Sequence, residues 1–254
     1  MKKQKSFEEF YYLEINDLAD IEVVSDFAEQ NKGVITPFEN KMFCPECEKA
    51  KLTFVNKTVY RKAHLKKIPS SSHCDSCSYI FNYATRSETK SYYDKLTSEQ
   101  VSDKLDSLMR MLFREKQLNN TFNLNNEKKA ISDNPLVIEV EKNNRGTRKS
   151  LRRKKLNHVL DKTDGTELMV FWGYVKFEQE EIIKDHNTYY KIKLFTENSE
   201  GKWVFRTSIF RGLVRDDVEE LKVYKFTAIG NLDFERSEKW PQIKLHSKDA
   251  FRYE

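Results

Sequence analysis

Two pairs of cysteines carry the most specific chemistry in this chain. Cys44-Pro-Glu-Cys47 and Cys74-Asp-Ser-Cys77 are C-x2-C turns with 26 residues between them. Such a turn aims two thiolates at one point, and Zn2+ takes four soft ligands in a tetrahedron at about 2.3 Å. The expected set is Cys44, Cys47, Cys74 and Cys77 around one Zn2+. His64 and His73 fall in the same segment and compete for a place, but a histidine immediately before Cys74 would put two neighbouring residues on one ion. Four thiolates leave no open position, which points to a structural and not a catalytic metal. Four cysteines are also too few for a disulfide scaffold, so a reducing, cytoplasmic setting is expected.

Positive charge is the second chemical signal. The net charge is +5, yet residues 41–74 alone hold +6 and residues 142–155 hold +8, so the rest of the chain is net −9. In the first patch Arg61, Lys62, Lys66 and Lys67 crowd beside Tyr60 and His64, as phosphate contacts do; a merely solvated loop has the same composition. In the second, Arg145, Arg148, Lys149, Arg152, Arg153, Lys154 and Lys155 concentrate arginine in a chain with 32 Lys and 13 Arg. The guanidinium fork suits phosphate, although an acidic protein partner or a solvated linker would also fit. No aromatics interleave this run, which argues against a membrane surface.

A third set lies further on, where aromatic and basic residues alternate: Tyr189, Lys191 and Lys193, then Trp203. Exposed rings on a barrel stack bases, and cations track the backbone between them. Reading Tyr190, Ile192 and Leu194 as inward leaves Tyr189, Lys191, Lys193 and Phe195 outward. The near-balanced charge of residues 167–254, 15 bases against 16 acids, fits a protein-binding barrel as well.

The elements that must position these residues follow from periodicity. Asp17 to Gln30 reads as a helix ended by Asn31-Lys32-Gly33. Thr97 and Gln100 resemble a capping box before a stripe of Val101, Leu105, Leu108, Met109 and Leu112, a helix expected to reach about Gln117. Lys51 to Val55 and Lys57 to Tyr60 are the expected strands of a zinc-ribbon hairpin. Residues 119–133 read as a polar loop, Leu136 to Val140 as a short strand and Asn143 to Lys155 as a flexible arm or basic helix. From Leu168 the period becomes two: runs at 168–177, 189–196, 203–210, 223–232 and 242–246 predict five strands, with a helical turn at Val214 to Leu221 between the third and fourth. That order is the order of an OB-fold, a five-stranded Greek-key barrel. The expected architecture is thus α+β: a zinc-binding module over 1–118, a linker with the basic arm over 119–166, and an OB-like barrel over 167–254.

The stretch FCPECEKAKLTFVNKTVYRKAHLKK, with the second knuckle after it, resembles the N-terminal zinc-binding region of CoiA-like competence proteins. That resemblance implies a zinc site and, further along, a nuclease core. Val137-Ile138-Glu139-Val140-Glu141-Lys142 resembles its acidic strand, but Glu141 stands where Lys or Gln belongs and the preceding metal-binding Asp is missing, so the catalysis is not carried over. There is no phosphate-cradling glycine loop, no G-x-S-x-G and no H-E-x-x-H. No apolar run spans a bilayer, and the N-terminus lacks a signal-peptide core. The expected function is zinc-stabilised binding of nucleic acid, single strands favoured, in replication, recombination or phage and mobile-element processes. The alternatives are a nuclease or nuclease subunit and a protein-binding adaptor or phage-encoded inhibitor.

Overall fold

A computed structural model describes residues 5, 7–59, 62–113, 134–142, 145–235, 237 and 239–254. The chain forms two compact units: one ends at Phe81 but also takes in Asn134, and the other begins at Asn82 and resumes at Pro135.

In the first unit, β1 (Glu9–Tyr12) pairs antiparallel with β2 (Asp17–Asp20) on one side and β3 (Met42–Phe43) on the other. Helix α1 (Ile21–Gln30) starts four residues later than its pattern suggests, because Asp17 to Asp20 find hydrogen-bond partners in β1 and the Ile21 N–H donates to Glu8 O. Lys32 (φ 54°) and Gly33 (φ 88°) end it, with the Gly33 N–H donating to Ala28 O. Between the two cysteine knuckles lies a hairpin, β4 (Leu52–Val55) and β5 (His64–Lys67). Its second strand is not the expected one: the register places Val55 opposite His64 and buries Leu65 completely, while the described residues 57–59 lie outside both strands of the hairpin and Tyr60 falls outside the described residues. Phe7, Phe10, Val24, Phe38, Met42, Leu52 and Leu65 close the core around Cys44 and Cys77.

The second unit is built on a barrel. Its strands are preceded by α2 (Arg86–Tyr93), α3 (Ser98–Leu112), β6 (Val137–Lys142), β7 (Arg145–Ser150) and β8 (Arg152–Lys155). The barrel strands are β9 (Met169–Lys184), β10 (Asn187–Glu197), β11 (Trp203–Gly212), β12 (Val223–Asp233) and β13 (Gln242–Leu245), with β14 (Phe251–Tyr253) added outside β12. Their order around the barrel is β9-β10-β11-β13-β12, and β12 closes on β9; β11 and β13 run parallel, the other neighbours antiparallel. This is the closed, OB-like connectivity. All five predicted strands are present, and β9 is long because its first half pairs with β12 and its second with β10. Phe171, Val175, Phe177, Ile192, Leu194, Ile209, Phe226 and Ile243 fill the interior, plugged by Leu156 and Leu160.

Three expectations change here. The turn over Val214 to Leu221 is not helical: Asp216 is clamped by Arg211, its N–H donates to Gln179 Oε1, and the Glu219 N–H donates to Tyr224 Oη, so barrel side chains take the place of helical hydrogen bonds. The helix over α3 has the predicted capping box and stripe, but Leu105, Leu108 and Met109 pack on Val170, Trp172 and Ile229 of the barrel, not within the zinc module. The compact unit that carries the knuckles runs to Phe81, and α3 is counted with the other unit. Residues 145–155 are neither an arm nor a helix. They form β7, paired with β6, and β8, which runs parallel to β9 with Leu151 buried between them in sequence. The loop expected at 119–133 and the end of the helix toward Gln117 lie outside the described residues.

Candidate metal centre and nucleic-acid face

The first knuckle leaves β3 with the Cys44 N–H donating to Ala50 O, and Glu48, at φ 55°, returns its N–H to Cys44 O. The second is closed by the Cys77 N–H donating to Cys74 O. Between them Cys44, Cys47, His73 and Cys77 bring one ligand atom each within 4.8 Å of one another, close enough to hold one metal ion. A tetrahedron with Zn–S near 2.3 Å and Zn–N near 2.05 Å has S···S edges of about 3.75 Å and S···N edges of about 3.6 Å. Cys44 Sγ and Cys77 Sγ lie 3.8 Å apart, and His73 Nδ1 is 3.5 Å from Cys47 Sγ and 3.4 Å from Cys77 Sγ.

The fourth ligand atom of this group comes from His73, where the sequence pointed to Cys74. The Cys74 Sγ is directed to Ser76 Oγ at 3.5 Å and stays outside the group. The imidazole reaches past it because the ring is held flat: His73 stacks on Phe7 and on Tyr79, which stack on each other at 4.4 Å. The middle of each knuckle contributes as well. Glu46, inside the first turn, accepts from the N–H and hydroxyl of Ser78, just past the second. Asn134 Nδ2 donates both to Glu46 Oε1 at 2.8 Å and to Ser76 O at 2.7 Å, so a residue far along the chain ties the two knuckles together.

The three clustered thiols hold their protons unequally. Burial pushes the Cys44 thiol up, hydrogen bonding with Cys44 and Cys47 pushes Cys77 up, and Cys47 is held far below the usual thiol range by the hydrogen bonds it accepts from Cys44 and Cys77. A metal entering such a cluster displaces the remaining thiol protons.

Comparison of the chain with protein-family profiles, curated proteins and solved structures finds no match. The resemblance to CoiA-like proteins gains no support from them. Glu139 and Glu141 are exposed on β6, facing Arg148 at 3.4 Å and Lys95 at 3.7 Å. Among the described residues the Cys/His cluster is the sole group of three or more His, Cys, Asp or Glu side chains placed to hold a metal. No described helix is long and apolar enough to cross a membrane.

The expected phosphate contacts scatter. Arg61 lies outside the described residues, as does the side chain of Arg145. Lys62 is exposed and Lys66 half-buried on β5, while Lys67 donates to Ile68 O and Pro69 O in its own loop. Of the second patch, Arg148 meets Glu139, Arg152 meets Glu167 and the ring of Tyr83, and Lys154 forms an ion pair with Asp164 at 2.6 Å with both side chains almost buried. Lys155 lies over Trp172, Lys149 is half-buried, and Arg153 has a buried guanidinium nitrogen. Strand formation has turned much of this basic run inward, onto acids and rings of its own unit.

The barrel surface is more coherent. With Ile192 and Leu194 fully buried, Lys191, Lys193 and Phe195 point outward on β10. A bulge then sets Phe195 opposite Phe205. Reading outward residues across the register produces a band: Val223 pairs with Lys176, Lys176 with Phe195 and Phe195 with Phe205, whose ring lies 5.7 Å from Phe195 and 5.3 Å from Trp240. Trp203 receives Lys176 Nζ at 4.4 Å, Lys239 Nζ sits 5.3 Å from Trp240, and Tyr189 stacks on Phe210. Lys191 and Lys193 are drawn to Glu180 and Glu178 at 2.9 and 2.6 Å. Phe195 was read as outward from its strand period; the bulge that aligns it with Phe205 has no signature in the sequence, and Trp240, in a connection outside every strand run, was missed.

Proposed function

We propose that this protein binds single-stranded nucleic acid across the outer face of its barrel, and that Zn2+ on Cys44, Cys47, His73 and Cys77 holds the N-terminal unit in shape. The observation that carries the first part is the ring band of Phe195, Phe205 and Trp240 on the second and third barrel strands and the connection between the fourth and fifth. In OB-like barrels this is the surface used by oligonucleotides, where rings stack bases irrespective of sequence. Strands lie about 4.8 Å apart, so a band of rings on two neighbouring strands and the adjoining connection accommodates roughly two to three stacked bases. Lys176 and Lys239, each already close to an indole, are placed to follow the phosphates. The second part rests on the match between the observed separations and the edges of a zinc tetrahedron. Three thiolates and an imidazole leave no open coordination position, so the metal supplies structure and not turnover.

Anisotropy titration of labelled single-stranded and duplex oligonucleotides at several salt concentrations tests the reading. Single strands are expected to bind better than duplex. Phe205→Ala and Trp240→Ala are each expected to weaken binding by roughly 5- to 150-fold, the equivalent of about 1–3 kcal/mol per stacked base, while leaving the salt slope unchanged. Absence of binding to any oligonucleotide, or undiminished affinity in both variants, would overturn it.

A further inference from the structure

One row along the strands from the ring band lies a ladder of opposite charges that a phosphate-binding surface does not need. Glu178 is paired across the register with Lys193, and Glu180 with Lys191. Lys193 Nζ lies 2.6 Å from Glu178 and 3.3 Å from Glu180, and Lys191 Nζ lies 2.9 Å from Glu180. Glu178 and Lys193 are two positions along from Lys176 and Phe195, about 6.8 Å from the band on the same face, and Glu180 and Lys191 follow two positions further on. The lysines hold Glu180 below the usual carboxylate range and the glutamates hold Lys193 above the usual ammonium range, so both stay ionised.

Two carboxylates repel a phosphate, so a strand lying on the band must turn its backbone toward Lys176 and Lys239 and its base edges toward the ladder. A base edge meeting the ladder finds a cationic donor flanked by anionic acceptors. Guanine matches that arrangement best: its O6 accepts from Lys193, while N1–H and N2–H donate side by side to one carboxylate. Cytosine and adenine offer the carboxylate a single amino group. Thymine and uracil offer one N–H between two carbonyl oxygens, which face the carboxylates unfavourably.

We propose that the Glu178–Lys193–Glu180 ladder reads the Watson–Crick edge of a base stacked on Phe195 and Phe205, and selects guanine over thymine or uracil. This rests on the single-strand reading above and assigns a specificity to the same surface.

The probe is a short oligothymidylate whose central base is varied among thymine, guanine, hypoxanthine, adenine and cytosine; one guanine per strand keeps higher-order structures away. With the full chain loaded with zinc, the guanine strand is expected to bind about tenfold more tightly than the all-thymine strand, within the range for a bidentate base contact. Hypoxanthine, which lacks only the N2 amino group, is expected to lie between the two, and this comparison needs no variant protein. In Glu178→Ala/Glu180→Ala the guanine preference is expected to fall below twofold while affinity for oligothymidylate holds or rises; should that variant misfold, Glu178→Gln with the hypoxanthine comparison replaces it. Equal binding of all strands, or a guanine preference that survives loss of both carboxylates, would overturn this assignment alone. No binding to any strand would overturn the single-strand reading and this one with it.

Discussion

Exchanging the two neighbours His73 and Cys74 separates the two ligand sets that the knuckles allow. In Cys74→Ser the change removes a thiol whose recorded side-chain contact is Ser76 Oγ at 3.5 Å, and the four-atom cluster is untouched. Full zinc content and a stability change of about 1 kcal/mol or less are expected, because Cys74 is only partly buried at the edge of its core and serine keeps its size. In His73→Ala one corner of the tetrahedron disappears. Structural zinc is worth about 10–16 kcal/mol in small zinc-binding peptides, so one of four ligands accounts for about 2.5–4 kcal/mol, or roughly 70- to 900-fold in metal affinity. The stack of Phe7 and Tyr79 on the imidazole goes with it, which adds to the loss of stability. The assay is zinc stoichiometry against a competing chromophoric chelator, with Co2+ substitution as a second readout: the thiolate-to-cobalt charge-transfer band is expected to have the intensity of three thiolates and to be unchanged in Cys74→Ser. If Cys74→Ser sheds its metal as Cys44→Ser does while His73→Ala keeps it, the geometric assignment of the site is wrong and the four-cysteine set is right.

Two further outcomes follow from buried charges in the barrel unit. Arg211 and Asp216 form a bidentate pair with side chains only 6% and 8% exposed, and Arg211 also donates to Lys248 O and lies over Phe251. Arg211→Met leaves Asp216 buried without its countercharge, at about 3–5 kcal/mol, so the melting temperature of this unit is expected to fall by roughly 10 °C and to recover in large part in Arg211→Met/Asp216→Leu; a melt within 2 °C or so of wild type, on the scale of about 1 kcal/mol, would contradict it. Lys104, half-buried on α3 against the ring and hydroxyl of Tyr92, has its ammonium pushed down to about 8 by burial. The unfolded chain then binds the extra proton between about pH 8 and 10.4, so this group destabilises the fold fully below pH 8 and the penalty fades as pH rises through that window. Lys104→Met is expected to raise stability at pH 7 by up to about 3 kcal/mol and to flatten the rise measured by denaturant melts between pH 8 and 10; an unchanged pH profile would refute it.

How far the sequence could be read depended on whether a feature is local. The C-x2-C turns and the Thr97–Gln100 box close within a few residues, so their spacing is enough to see them. Period-two runs located the barrel strands, because each strand buries one face whatever its neighbours are. The ligand set was not local: His73 joins the cluster in place of Cys74 with its ring packed beside the stacked pair of Phe7 and Tyr79, which come from opposite ends of that stretch of sequence. The stripe of α3 announced that the helix buries a face but not that the face belongs to the barrel. Asp216 and Glu219 had the composition of a helix start, yet Arg211, Gln179 and Tyr224 took their hydrogen bonds instead. The basic run read as an arm because alternation along β7 and β8 is written in charged residues, with Ser150 and Leu151 the clearest apolar or buried marks.

The hydrogen bonds of Asn134 to Glu46 and to Ser76 have a consequence for how the N-terminal unit is made. This unit is discontinuous in sequence: its chain leaves at Phe81 and is completed by Asn134 after the helices of the other unit have been spelled out. On the ribosome, the knuckles emerge and can meet metal well before the residue that bridges them is synthesised. The order of synthesis thus lets metal capture come before the final fastening, and a fragment cut at Phe81 would carry all four candidate ligands but lack the tie between their turns.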